Sequence, residues 1–388
     1  MKSYLLLIIL ISSCIPNSQN DVSTETSKYR LKIQNTVEYN IENKSDINSI
    51  IDVLDGFFET KDSSYVNNPY WLENDNSFYK YPFYEFSTLE NYGSSKLRPN
   101  LLSITEINNN HFICKLGWFY DYKNTQSLQF IYNVSVIKKN ERFLLKNILS
   151  HNIKDWKKLK IGNITYWIPE HVKINRFKAE KYNNINEKIS TFFGAKLISF
   201  SYIYCDSNEQ LMRLIGYDFD QSMYLQDQNG SVTYTDDNLI FSGNNSEINT
   251  HELVHLYVAE KFTQANPFIN EGIATFLGGS KGLSYEDHLF KLKIHLNNND
   301  INIYDEYFFG NYVLDSDTSL RYTLSAFLCD LALREIGKKG LFELLNCGIS
   351  NYDIIDYIDD FFKVNSSNFN EFIKNELQEY DFDSIKNI

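Results

Sequence analysis

The spacing of apolar residues in the first part of the chain predicts one helix followed by a sheet. Apolar side chains from Ile47 to Phe58 recur at helical spacing, which predicts a helix over 46–59. Further on, runs rich in β-branched and aromatic residues predict three strands, over 111–120, 127–138 and 142–149. This order indicates a small α+β domain over 41–155, and no catalytic constellation is found in it.

The remainder, 156–388, begins with strands and helices in turn and ends with helices alone. Alternating apolar residues predict strands over 156–160, 164–168, 198–204, 231–235 and 238–242. Helical spacing predicts a helix ending at Gly194, one ending at Ile215, and later helices over 283–297, 319–337, 340–347, 351–363 and 367–379. The polar stretch 298–318 predicts a loop that could border a cleft, and the whole chain is expected to be α+β.

The first forty residues have the pattern of a secreted and anchored protein. The apolar run over 4–11 is too short to span a bilayer and predicts a signal peptide over 1–13. The sequence I-S-S-C at its end resembles a bacterial lipobox, which implies lipidation of Cys14 and a place in the bacterial cell envelope. An ordinary signal peptide with an incidental cysteine is the alternative. Polar residues over 14–40 predict a flexible tether.

Composition narrows the classes of partner. The chain has 388 residues, of which 43% are hydrophobic, so two folded domains are expected. Its net charge of −13 argues against nucleic-acid binding. The remaining cysteines lie in apolar patterns without C-x-x-C spacing, which indicates buried thiols: Cys114, Cys205, Cys329 and Cys347. A disulfide between two of them stays open at this point.

The candidate chemistry is concentrated in the motif H-E-L-V-H at 251–255. On a helix, His251 and His255 share one face, with Cβ atoms about 5–6 Å apart, so both imidazoles can bind one Zn²⁺. Glu252 is rotated by about 100° around the helix axis, so it flanks the metal instead of binding it. There it can take a proton from a water molecule, as in the H-E-x-x-H arrangement of zinc hydrolases.

A catalytic zinc needs a third protein ligand and keeps one position open for water. Glu271 is the candidate. Pro267 predicts a turn after the first helix, and a second helix from about Phe268 can return the chain to the metal. Gly272 and Ala274 leave little bulk beside Glu271, which allows close packing of two helices.

The motif H-E-L-V-H and the later I-N-E-G-I-A-T-F-L-G-G together resemble the gluzincin metallopeptidases, most of all the M1-type pattern H-E-x-x-H…N-E-G-x-A. The resemblance covers roughly 156–350. It implies a zincin-like domain over 156–388, with Zn²⁺ held by His251, His255 and Glu271 and with Glu252 as the general base.

The same resemblance implies two further features of the site. Related enzymes often carry a tyrosine or histidine that stabilises the oxyanion, and Tyr322 is the matching residue here. In that fold an edge strand lies beside the extended substrate, so one of the strands over 231–235 and 238–242 is expected to line the cleft. The chain lacks a G-x-M-E-N-like stretch, the element that holds the free amino terminus of the substrate in the M1-type enzymes. Its absence counts against exopeptidase action, and the choice between endopeptidase and exopeptidase stays open. The accessory domain over 41–155 is similar in element order to NTF2-like domains.

The sequence therefore predicts a zinc peptidase that hydrolyses peptide bonds in a peptide or protein substrate, anchored to a membrane through Cys14. A non-catalytic envelope binding module built on the same fold is the first alternative. The intact ligand set and Glu252 count against it, because a binding module has no physical need for a base. A zinc enzyme acting on a non-peptide amide is the second alternative. The oligomeric state and the membrane face are left open.

Overall fold

A computed structural model of the chain describes residues 31–35, 37, 41, 44–61, 68–72, 91–92, 95–122, 125–220, 223, 230–304, 309–310 and 312–382. The predicted signal peptide over 1–13, Cys14 and most of the predicted tether over 14–40 lie outside these residues. Helices and mixed sheets both build the described part of the chain, so the predicted α+β class is confirmed.

The helices and strands are as follows. The described helices are α1 (Lys44–Thr60), α2 (Leu149–Asn152), α3 (Arg176–Phe193), α4 (Asn208–Ile215), α5 (Thr250–Lys261), α6 (Pro267–Gly278), α7 (Tyr285–Asn298), α8 (Leu320–Leu345), α9 (Asn351–Phe362) and α10 (Phe369–Glu379). The described strands are β1 (Lys32–Ile33), β2 (Asn91–Tyr92), β3 (Ser95–Lys96), β4 (Pro99–Asn108), β5 (His111–Tyr122), β6 (Thr125–Lys139), β7 (Arg142–Lys146), β8 (Lys157–Ile161), β9 (Ile164–Ile168), β10 (Phe200–Tyr204), β11 (Tyr217–Asp220), β12 (Ser231–Tyr234) and β13 (Leu239–Ser242).

The longer sequence-based elements agree approximately with these bounds, whereas the short strands β1, β2, β3 and β11 were not predicted. Three further differences concern longer elements. Strand β4 was not predicted, although it pairs with β5 along its length. Strand β7 ends at Lys146, and helix α2 begins at Leu149, the last residue of the stretch that was predicted as a strand. The two helices predicted on either side of Gly337 form the single element α8, which leaves helical geometry at that glycine, where φ is 77°.

One compact unit is built from the described residues within Ile11–Lys157 and Asp206–Gln226. Its larger described sheet has the order β1-β4-β5-β6-β11, and β7 also pairs with β6. Residues 206–226 were assigned from the sequence to the second domain. They belong to this unit because β11 pairs antiparallel with β6 and the Tyr132 hydroxyl donates to the carbonyl of Ile215 at 2.6 Å.

The other compact unit contains the described residues within Lys158–Cys205 and Asp227–Ile388. Its five-stranded sheet has the order β12-β13-β10-β9-β8, with β9, β10 and β13 parallel and β12 antiparallel at one edge. Helices α5, α6 and α8 contribute fully buried side chains such as Leu253, Ile273 and Leu324 to one core. This core fixes α5 and α6 side by side, and both carry the predicted ligands.

Helices α6 and α8 approach each other closely at Gly272. A Cβ atom at this position would lie 2.1 Å from Ser325 Oγ and 2.6 and 2.7 Å from its backbone carbon and oxygen. Ser325 is also held in place, because its hydroxyl donates to the carbonyl of Phe268 at 2.5 Å. Only glycine therefore fits here, next to Glu271.

Gly272→Ala is expected to lower the free energy of unfolding by about 1–3 kcal/mol, because overpacking outweighs the better helix propensity of alanine. The urea midpoint measures it. Measured against the Ser325→Gly single variant, Gly272→Ala is expected to cost less than in the wild type, since only the backbone contacts remain. An unchanged midpoint in Gly272→Ala would show that the two helices separate freely.

The four cysteines in the described part of the chain are free thiols. The prediction of burial is confirmed for Cys114, Cys205 and Cys329, while Cys347 is partly exposed. Burial raises the pKa of the Cys347 thiol to about 11, so it is protonated at neutral pH.

Within the described part of the chain, no helix combines the length and the apolar composition that a membrane crossing requires.

Candidate metal centre

The start of helix α5 is fixed by the side chain of Asn249. Its Oδ1 accepts from the backbone N–H of Glu252 at 3.3 Å, as a helix N-cap does. Its Nδ2 donates to Ser231 Oγ at 2.9 Å and to Ser242 Oγ at 3.0 Å. Asn249 therefore attaches the first turn of the helix to strands β12 and β13, which determines where the histidines lie.

The two histidines lie one helical turn apart, as their spacing predicts. The ring centroids of His251 and His255 are 4.9 Å apart. On the neighbouring helix, Asn266 caps the N-terminus and Pro267 is the first helical residue. Glu271 follows one turn later and faces both imidazoles. Its Oε2 lies 3.1 Å from His251 Nε2 and 3.8 Å from His255 Nε2.

These three side chains form a group that could hold a metal ion. One ligand atom from each of His251, His255 and Glu271 lies within 4.8 Å of the other two, and all three side chains are partly buried. Two imidazole nitrogens and a carboxylate oxygen are the donor set of a catalytic zinc site of the His₂Glu type. The three residues that the sequence predicted as metal ligands thus lie together in the structure.

Both imidazoles are oriented by oxygen atoms on the side away from Glu271. His251 Nδ1 donates to the carbonyl of Gly279 at 2.8 Å, and His255 Nδ1 donates to Asn270 Oδ1 at 3.0 Å. Such outer partners fix the ring orientation and make the other nitrogen a better ligand. The Nε2 atoms are therefore the ones that face Glu271 and are available to bind a metal ion.

The electrostatics of the group follow from its burial and mutual contacts. Burial alone would lower the pKa of His251, but the hydrogen bond and charge of Glu271 outweigh it and raise that pKa to about 9. Burial alone would raise the pKa of Glu271, but the two histidines, and after them Arg321, lower it to about 2. Glu271 is therefore an anion at neutral pH, which is the state in which a carboxylate binds a metal.

Glu252 lies beside the ligands, in the first turn of α5. Its side chain is buried, with 9% of the residue exposed. Its Oε2 accepts a hydrogen bond of 2.6 Å from the hydroxyl of Thr233 on strand β12. The carboxylate is thus held between the helix and the edge strand, close to the group that could bind the ion.

Tyr322, in the first turn of α8, lies next to the same group. Its ring is nearly parallel to that of His251, at 23°, with 6.3 Å between the centroids. Burial first, and then the charge of Glu271, raises the pKa of this tyrosine above its usual range. The phenol therefore keeps its proton at neutral pH, beside the carboxylate of Glu271.

A cavity of about 790 Å³ contains all five predicted site residues in its wall. Strand β12 lines it with Ser231, Val232 and Thr233, so the prediction that one of the two strands lines the cleft is confirmed. The loop 278–284 also lines it, and this loop contacts His251 through Gly279. None of the described residues of the stretch 298–318 is in the wall. The suggestion that this loop borders the cleft is therefore not supported by its described part, and residues 305–308 and 311 lie outside the described residues.

Sequence reasoning missed the partners that orient the site. Asn270 was noticed only as part of a motif, and its place directly before a ligand on the same helix is the signal that could have identified it. Thr233 and Gly279 give no local signal. Thr233 contacts Glu252 from 19 positions away in the sequence, and Gly279 contacts His251 from 28 positions away. Only the tertiary fold brings these residues together.

The outer partner Asn270 allows a prediction about metal affinity. Asn270→Ala removes the acceptor of His255 Nδ1, so zinc affinity is expected to fall about 10–100-fold. Competition with a chromogenic chelator measures it. Asn184→Ala, an exposed asparagine on α3, serves as the control and should leave the affinity unchanged. An Asn270→Ala variant with wild-type affinity would contradict this role.

Neither a search with models of protein families nor a search of curated proteins finds a match for this chain. The function must therefore be argued from the geometry of this site.

Proposed function

We propose that the chain is a zinc-dependent peptidase of gluzincin type. The observation that carries the proposal is the convergence of His251, His255 and Glu271 from two helices, with Glu252 beside them in the wall of one cleft. A structural zinc site has four protein ligands, whereas three protein ligands leave a position for water. The arrangement therefore supports catalysis over a purely structural metal site.

Each side chain has a separate task in this proposal. His251 and His255 bind through Nε2, and their Nδ1–H groups keep their bonds to Gly279 and Asn270. His251 gives up its Nε2 proton when it binds, so binding releases a proton. Zn²⁺, when bound, lowers the pKa of a water molecule to about 7 and polarises the carbonyl that is attacked.

Glu252 and Tyr322 act on the substrate. The Glu252 carboxylate takes a proton from the attacking water and returns it to the leaving amine, so it is a base in one step and an acid in the next. Tyr322 is protonated at neutral pH and donates a hydrogen bond to the developing oxyanion. Both tasks require groups that stay fixed while the charge moves. Glu252 is buried and Tyr322 is partly buried.

The substrate class follows from the walls of the cleft. Strand β12 is the edge strand, and its outer side is not paired with any described strand. An extended peptide can add to such an edge through main-chain hydrogen bonds. The proposal therefore names a peptide or a protein segment as the substrate. Lipid anchoring through Cys14, in the cell envelope, belongs to the same proposal.

The test is metal analysis together with a peptide-library digest. One zinc per chain is expected, with cleavage that a chelator removes and added zinc restores. The metal-binding part would be wrong if the purified chain took up no zinc from a stoichiometric solution. The peptidase part would be wrong if the zinc-loaded chain cleaved no peptide in the library.

A further inference from the structure

The contact between Thr233 and Glu252 lies outside the H-E-L-V-H motif, because Thr233 is on strand β12, 19 positions before Glu252. The Thr233 hydroxyl lies 2.6 Å from Glu252 Oε2 and 3.1 Å from the backbone carbonyl oxygen of the same residue. The shorter distance is that of a charge-assisted hydrogen bond between a hydroxyl and a carboxylate. Thr233 therefore donates its single proton mainly to the carboxylate.

Within the described part of the chain, no other group donates a hydrogen bond to this carboxylate. Because a glutamate has three rotatable side-chain bonds, the protein needs a second contact to fix the direction in which the carboxylate points. Thr233 supplies that contact at Oε2. Oε1 is then left to exchange protons with water and the leaving amine.

Thr233 is itself firmly placed. Only 3% of the residue is exposed, and it lies opposite Ile240 of β13 in an antiparallel pair. Its β-branched side chain has restricted rotation about the first bond. A hydroxyl on a sheet strand is also a more rigid support than one on a loop. The same strand lines the cleft. Thr233 therefore fixes the position of the Glu252 carboxylate relative to the wall along which the substrate is expected to lie.

We infer that Thr233 is a positioning residue that holds Glu252 in the orientation needed for proton transfer. The inference rests on the proposed function. A misplacement of about 1 Å in a reacting group can reduce the rate about a hundredfold, so the expected effect is kinetic and is not an effect on metal binding.

The experiment compares Thr233→Val and Thr233→Ser in the zinc-loaded protein. Valine keeps the shape and removes the hydroxyl, so kcat is expected to fall about 10–100-fold while KM and zinc content stay near wild type. Serine keeps the hydroxyl that bonds Glu252, so the kcat of Thr233→Ser should stay within about threefold of wild type. That loss is much smaller than the loss expected for a misplaced base. Thr165→Val, on strand β9 of the same sheet and away from the cavity wall, is the matched control.

A second measurement uses the metal-free protein and does not depend on activity. Thr233→Val is expected to lower the urea midpoint in the wild-type background and to lower it less in a Glu252→Ala background, because the partner is already absent. Equal decreases in the two backgrounds would show that the hydroxyl acts through something other than Glu252.

The outcomes separate the inference from the proposed function. A wild-type kcat in Thr233→Val, or a loss that appears only in KM, overturns the inference and leaves the peptidase assignment intact. A loss in Thr233→Ser as large as that in Thr233→Val also overturns it, since the hydroxyl would then be irrelevant. If the wild-type chain hydrolyses no peptide, the proposed function fails, and the comparison of urea midpoints still decides whether Thr233 holds Glu252.

Discussion

Replacing Glu252 by glutamine is expected to reduce peptide hydrolysis about 10²–10⁴-fold or more while leaving the zinc content at wild type. The amide has nearly the shape of the carboxylate but cannot accept a proton. The three proposed ligands, His251, His255 and Glu271, are untouched by the change. Activity and metal binding are thus expected to separate in this one variant.

The two measurements are kcat with a cleaved library peptide and zinc per chain by elemental analysis. Glu260→Gln is the matched control, because Glu260 lies on the same helix α5 but is exposed and outside the cavity wall. It tests whether the loss of any acidic side chain from α5 impairs the enzyme. Glu260→Gln is expected to hydrolyse peptides as fast as wild type.

Two results would contradict the mechanism in different ways. Full activity in Glu252→Gln would mean that another group accepts the proton. Loss of zinc in that variant would mean that Glu252 contributes to the metal site, so its flanking position on α5 would not separate the two roles. A loss of activity in Glu260→Gln as well would point to a general disturbance of the helix.

The site was predictable where its chemistry is local in sequence. His251 and His255 are one turn apart on any helix, and Glu252 must then flank them. Pro267 marks the turn before α6, because it forces the preceding residue out of helical geometry and suits the first helical position. These rules depend only on helix geometry, so they predicted how the candidate ligands and the candidate base lie relative to one another without any knowledge of the fold.

The remainder depends on contacts between distant parts of the chain. Helical periodicity says that α5 has a buried side but not that Asn249 attaches its first turn to two strands through Ser231 and Ser242. For the same reason the sequence assigned residues 206–226 to the second domain and not to the first compact unit. Strand β11 is short, and its partner β6 lies far earlier in the sequence. Strand pairing at long range leaves no local pattern to detect.

Replacing Glu271 by glutamine is expected to weaken zinc binding more than a hundredfold, beyond the 10–100-fold range for an outer partner such as Asn270. Glu271 is the proposed anionic ligand and lies within reach of both Nε2 atoms. Glutamine keeps the shape but brings no charge to the ion. The expected order of zinc affinity is therefore wild type, then Asn270→Ala, then Glu271→Gln.

Thermal unfolding provides an independent measurement of the same change. A ligand that binds only the folded state stabilises it by about 2.7 kcal/mol at a hundred times its Kd, so zinc should raise the Tm of the wild type. At the same zinc concentration Glu271→Gln should show little or no increase, while Glu260→Gln should match the wild type. A Glu271→Gln variant that keeps both its affinity and its zinc-dependent increase in Tm would remove this carboxylate from the ligand set. The two helices would then come together for packing alone.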